Sequence, residues 1–242
     1  MNFGMTRIGA CLVGLCTAFS VYAQSGDELF NRAAQKYHTK DYEGAVADYS
    51  RIIESGDGPV IESYGFRGVS RYRLNQLNAA VHDLDDALER DENYDIAYNN
   101  RGVVLFAANE VEYAREDFQS ALSIDGNYAT AYNNLGLVAF RRKNYENAIQ
   151  YFQLAIRSYP AYAQAYNNLG AALEELGETE EALDAYSDAI EAYPQYALAL
   201  YNRGSLRLAS KNKGGACEDL KKAAELGVPE AADKLKESCG QQ

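Results

Sequence analysis

The sequence predicts an all-α solenoid of about six helix-turn-helix units closed by a C-terminal capping helix, and three observations predict it. First, one word returns at a fixed spacing: AYNNRG at 97–102, AYNNLG at 131–136 and 165–170, and LYNRG at 200–204, with Gly68, Gly102, Gly136, Gly170 and Gly204 each 34 residues apart. Second, each unit divides in two. Ala129 to Arg142 has helical apolar spacing, Lys143-Asn144-Tyr145 interrupts it, and Glu146 to Ser158 is a second helical run that stops before Pro160. Third, Pro229 to Ser238 carries Lys234, Lys236 and Glu237, the polar character that an end cap needs when every unit packs only on its neighbours.

Taken in order, the chain opens with a segment unlike the rest. Arg7 is the only charge in residues 1–23, and Ile8 to Val21 is a mostly apolar run followed by Val21-Tyr22-Ala23. An export signal cleaved between Ala23 and Gln24 is expected. A membrane anchor is the alternative, but a spanning helix needs about 20 apolar residues, and Gln24-Ser25-Gly26-Asp27 ends this run early. Export sends the mature chain to the periplasm or the medium.

The units then follow at 26–60, with one extra loop residue, 61–94, 95–128, 129–162, 163–196 and 197–228, the last degenerate at its Lys213-Gly214-Gly215 turn; 229–242 is the capping helix and tail. At 100° per residue, positions 4, 7, 8 and 11 of a unit share one arc, occupied by Tyr132, Leu135, Gly136 and Ala139 in the fourth. That arc is the core face. Glycine at position 8, with Ala148 and Ala155 at positions 20 and 27, lets two helices approach closely.

The pattern resembles the tetratricopeptide repeat. In the fifth unit its positions read Tyr166, Leu169, Gly170, Ala182, Tyr186, Ala189 and Pro194. The resemblance implies a right-handed superhelix, a concave groove lined by the first helices, and protein-protein interaction without catalysis. Departures are local: Ala33 stands for the glycine in the first unit, and Glu92 and Gly126 for the proline in the second and third.

Comparing the copies with each other adds a pairing. Position 7 is Arg32, Arg67, Arg101 or Arg203 in four units, and the same four carry Asp48, Asp83, Asp117 or Asp219 at position 23; the two units with Leu135 and Leu169 carry Tyr151 and Ala185 instead. Four Arg–Asp pairs within units are expected, because a core-facing arginine is tolerated when paired. If the signal is removed, Cys217 and Cys239 are the cysteines left. They stand equidistant from a turn centred on Val228, so an antiparallel hairpin brings them opposite each other, and an oxidising compartment favours a disulfide. Two buried free thiols are the alternative.

The groove face, positions 2, 5, 6, 9, 12 and 13, carries a double row of asparagines: Asn99 and Asn100, Asn133 and Asn134, Asn167 and Asn168, with Asn31 and Asn202 extending the position 6 row. Carboxamides donate and accept, so such a row suits an extended peptide backbone without demanding its sequence. Satisfying local backbone groups is the architectural alternative. Tyr72, Phe106 and Phe140 at position 12 add apolar pockets. Ile96, Thr130 and Gln164 stand where carboxylate-clamping relatives place basic residues, so internal or neutral segments are favoured. A scaffold working through its convex face or ends is the alternative function.

Against 23 Lys and Arg stand 35 Asp and Glu, a net charge of -12, which argues against nucleic acid as a partner. His38 and His82 are isolated, and no nucleophile grouping, phosphate loop or metal spacing is present, so no catalytic residue, metal or cofactor is expected. The acidic run Glu174, Glu175, Glu178, Glu180, Glu181 reads as a solvated turn, with a basic partner as its functional alternative.

Overall fold

The structure, a computed structural model, describes residues 25–240. The expected export signal and its Ala23–Gln24 cleavage lie outside the described residues. Within them the chain runs α1 Gly26–His38, α2 Tyr42–Ser55, α3 Val60–Arg73, α4 Leu77–Arg90, α5 Asp95–Ala107, α6 Val111–Ile124, α7 Ala129–Arg141, α8 Tyr145–Ser158, α9 Ala163–Leu176, α10 Thr179–Ala192, α11 Ala197–Ala209, α12 Lys213–Glu225 and α13 Pro229–Cys239. All described secondary structure is helical.

Local chemistry sets the element ends. Asn144 accepts from the Asn147 amide at 3.2 Å and so caps α8, which makes Tyr145 the first helical residue; the sequence had placed it in the turn. Asp41 and Asn212 cap α2 and α12 in the same way. Every turn inside a unit has one left-handed residue at position 15: Lys40, Asn75, Asn109, Lys143 and Lys211 at φ 59 to 70°, and Gly177 at 82° in the fifth unit. Glycine takes that conformation without the Cβ conflict the lysines accept.

The helix pairs close on small residues. A Cβ placed on Gly136 would stand 2.4 Å from Phe152, and on Gly102 2.6 Å from Phe118, so the aromatic ring of the second helix occupies the space that glycine leaves on the first. Ala45, Ala80, Ala114, Ala148, Ala182 and Ala216 at the facing position are fully buried. Tyr94, Tyr128, Tyr162 and Tyr196 sit half-buried at the unit junctions, and burial pushes the phenols of Tyr94 and Tyr128 up to about 12.

From α3 onward each first helix touches the first helix of the next unit, α3 with α5, α5 with α7, α7 with α9 and α9 with α11, while the second helices form no comparable contact. The first helices are therefore the inner, concave layer. α13 packs on α12, and Ala231 and Leu235 join Leu200, Leu220 and Ala223 in the last core cluster.

Candidate functional site

The two asparagine rows have different fates. Asn99, Asn133 and Asn167 are buried, at 3, 1 and 3% exposure, and do not offer their carboxamides to the groove. Position 5 faces the neighbouring first helix, and there each side-chain oxygen accepts from the position 6 amide of the next unit: Asn134 Nδ2 to Asn99 Oδ1 at 2.9 Å, Asn168 to Asn133 at 2.9 Å, and Asn202 to Asn167 at 3.0 Å. The rungs join the third unit to the sixth. Gly65 takes position 5 in the second unit, so half-buried Asn100 has no such rung below it. The row expected to hold a peptide is in part a set of inter-unit bolts.

Beside the rungs the groove is apolar. Tyr72, Val103, Phe106, Ala107, Phe118, Asn134 and Leu137 enclose a hollow of about 110 Å³ across α3, α5 and α7, with α6 behind it. Three residues singled out from sequence, Tyr72, Phe106 and Asn134, meet in it. Phe140 instead packs edge-on against Tyr145 of its own unit, centroids 5.3 Å apart. The rim is cationic: the Arg73 guanidinium lies 5.9 Å from the Tyr72 ring, and Arg141 lies 4.8 Å from that of Phe106 while donating to the Phe106 carbonyl and to Asn109 Oδ1.

The structure brings all four Arg–Asp pairs together. Arg32, Arg67, Arg101 and Arg203 each donate from Nε and Nη2 to the two oxygens of Asp48, Asp83, Asp117 and Asp219, at 2.6 to 3.0 Å. Two features were not visible in the pairing pattern. Position 11 supplies a second cation to three of the carboxylates, Lys36 to Asp48, Arg71 to Asp83 and Arg207 to Asp219, each at 2.7 Å. The remaining Nη1 also crosses to the preceding unit in three cases, Arg67 to Ser50, Arg101 to Asp85 and Arg203 to Ser187. Burial works against ionised Asp48, but Arg32 and Lys36 hold it below the usual carboxylate value; Asp117, with Arg101 alone, is raised by burial.

Cys217 on α12 and Cys239 on α13 stand next to each other, within reach of a bridge. His82 meets Asp86 at 3.2 Å one helical turn away, and His82, Asp83 and Asp86 form one cluster, but Asp83 is held by Arg67 and Arg71 and Asp86 by Arg90. No described helix is long and apolar enough to cross a membrane.

Two profiles described as tetratricopeptide repeat match the chain, one over residues 93–161 and 127–195 and the other over 167–233, together more than half of its length. Among solved structures it is similar to YrrB, described as a TPR protein with an unusual peptide-binding site, at 26% identity over 78% of this chain and 97% of that one, TM-score 0.55. It is similar to MamA at 25% identity over 68% and 96%, TM-score 0.57. A tetratricopeptide repeat protein from Parabacteroides merdae shares the fold at 19% identity, 90% and 86% coverage and TM-score 0.70. No curated protein matches the chain in sequence.

Proposed function

The chain belongs to the tetratricopeptide repeat family, and from that premise we propose that it holds an extended segment of another protein in its concave groove, as a non-enzymatic module in an extracytoplasmic assembly or chaperone role. The observation that carries the groove reading is the hollow of Tyr72, Val103, Phe106 and Leu137 on the inner layer. It is sized for one apolar side chain, with the half-buried Asn100 and Asn134 beside it to meet the peptide backbone. The peptide-binding site named for YrrB supports the same reading by likeness. The export-type segment at residues 1–23 supports the location, and a Cys217–Cys239 bridge suits an oxidising compartment.

Leu137→Lys, which places a charge at the hollow, should abolish binding of the partner while the helical circular dichroism stays unchanged. Tyr113→Lys, on the exposed outer helix α6, should leave binding intact. The reverse pattern would move the working surface to the convex face.

A further inference from the structure

We propose that a hollow on the α9–α10 pair is a receptor for an arginine side chain presented by a protein partner, because the chain fills the same cradle with its own arginine in the second unit. There Arg90, at position 30, lies over the Tyr64 ring at 4.3 Å, donates to Tyr64 Oη at 3.2 Å, and reaches the Asp86 carboxylate at 3.4 Å and its carbonyl at 2.6 Å. Tyr64, Asp86 and Glu89 hold positions 4, 26 and 29. The fifth unit repeats that set as Tyr166, Asp188 and Glu191, but position 30 is Ala192. No other unit has it: the third reads Tyr98, Ser120, Ser123 and the fourth Tyr132, Leu154, Arg157.

Where the guanidinium is missing, the surface is hollow. Pro160, Ala161, Tyr166, Asp188, Glu191 and Ala192 line a space of about 430 Å³. Between Arg157 and Arg203 the sequence has no lysine or arginine, so this unit supplies no cation of its own. Burial, Glu191 and Asp184 together raise Asp188, and burial, Asp188 and Glu191 raise the Tyr166 phenol. Both acids therefore bear on the ring that forms the wall. A planar guanidinium stacks on a phenol and bonds a carboxylate at once, which a lysine ammonium does less well. A second hollow of about 390 Å³ shares Ala161 and Ala192 and is walled by Tyr162, Tyr193 and Tyr196. It suits an apolar side chain beside the arginine, and so a protein segment over the free amino acid. This surface is separate from the groove, and its test is independent of it.

The full chain is titrated with the blocked peptide acetyl-Gly-Arg-Leu-Gly-amide, and with its lysine counterpart, while the Tyr166 resonances are followed by NMR. The arginine peptide should shift them saturably and more tightly than the lysine peptide. Asp188→Asn, which removes one charge from the rim, should weaken binding roughly tenfold, the scale of one charge-assisted hydrogen bond. Ala192→Arg should abolish it by supplying in cis what Arg90 supplies to the second unit, and Arg90→Ala should open a second site reported by Tyr64. No saturable shift at Tyr166, equal binding of the lysine peptide, or binding unchanged by Ala192→Arg would overturn the proposal.

Discussion

Arg101 spans the boundary between two units: its Nη1 donates to Asp85 of the preceding unit at 2.7 Å while Nε and Nη2 hold Asp117 of its own. The position 7 arginine is thus a pin between layers as well as a partner within one. Half-buried and carrying three donor nitrogens in a fixed fork, it ties its layer to the preceding one in the second, third and sixth units.

The number of cations on each aspartate sets the cost of removing it. Asp83 is fully buried and serves both Arg67 and Arg71, so Asp83→Ala takes the shared counter-charge from two guanidinium groups and should cost about 3 kcal/mol or more. Asp117→Ala leaves Arg101 its bond to Asp85 and should cost less by about 1.5 kcal/mol, one charge-assisted hydrogen bond. Chemical denaturation of both variants checks the order; an equal loss would contradict it.

Acid should act on Asp48 and Asp117 with opposite sign. The folded Asp48 value lies below its ordinary one, so its contribution is fully present above about pH 4 and is lost as pH falls through the folded value. The folded Asp117 value lies above the ordinary one, so acidification through that window favours the folded state. The stability gap between the native chain and Asp48→Asn should therefore narrow as pH falls below about 4, while the gap to Asp117→Asn should not. Melting temperatures from pH 6 to pH 3 measure both.

Gly136→Ala should destabilise by about 1 to 3 kcal/mol, because the new methyl would stand 2.4 Å from Phe152 in a closed helix pair. Gly214→Ala, with nothing within 4 Å, should be tolerated. Melting of the two variants side by side separates crowding from backbone effects.

A Cys217–Cys239 bridge closing a loop of 22 residues should contribute about 3 kcal/mol. Mass spectrometry of the unreduced chain should show no free thiol at either position, and reduction should lower the melting temperature and expose the α13 amides to hydrogen exchange first. Two free thiols in the oxidised chain would remove the bridge.

Much of this was legible in the sequence because repetition is its own control. Six copies in register expose which positions vary together, and that is how Arg32 and Asp48, sixteen residues apart, could be joined without coordinates. Contacts between copies were less legible. Asn99 and Asn134 lie in different units, and nothing within one copy distinguishes a carboxamide facing the groove from one facing the next helix; only the stacking angle does. The rungs also bear on how the groove is tested, since replacing Asn134 or Asn168 loosens the stack and removes a surface group together. The second cation at position 11 is hard to read for another reason: Leu105, Ala139 and Leu173 hold that position in the other units, so it does not sort as cleanly as position 7.

The groove assignment is tested most directly by placing a photo-crosslinking phenylalanine analogue at Phe106 in one protein and at Tyr113 in another, and irradiating each with the envelope fraction of the source cells. The account predicts a discrete adduct from position 106, absent from position 113 and suppressed by Leu137→Lys. An adduct from position 113 alone would place the partner on the outer face, and the concave layer would then be architecture.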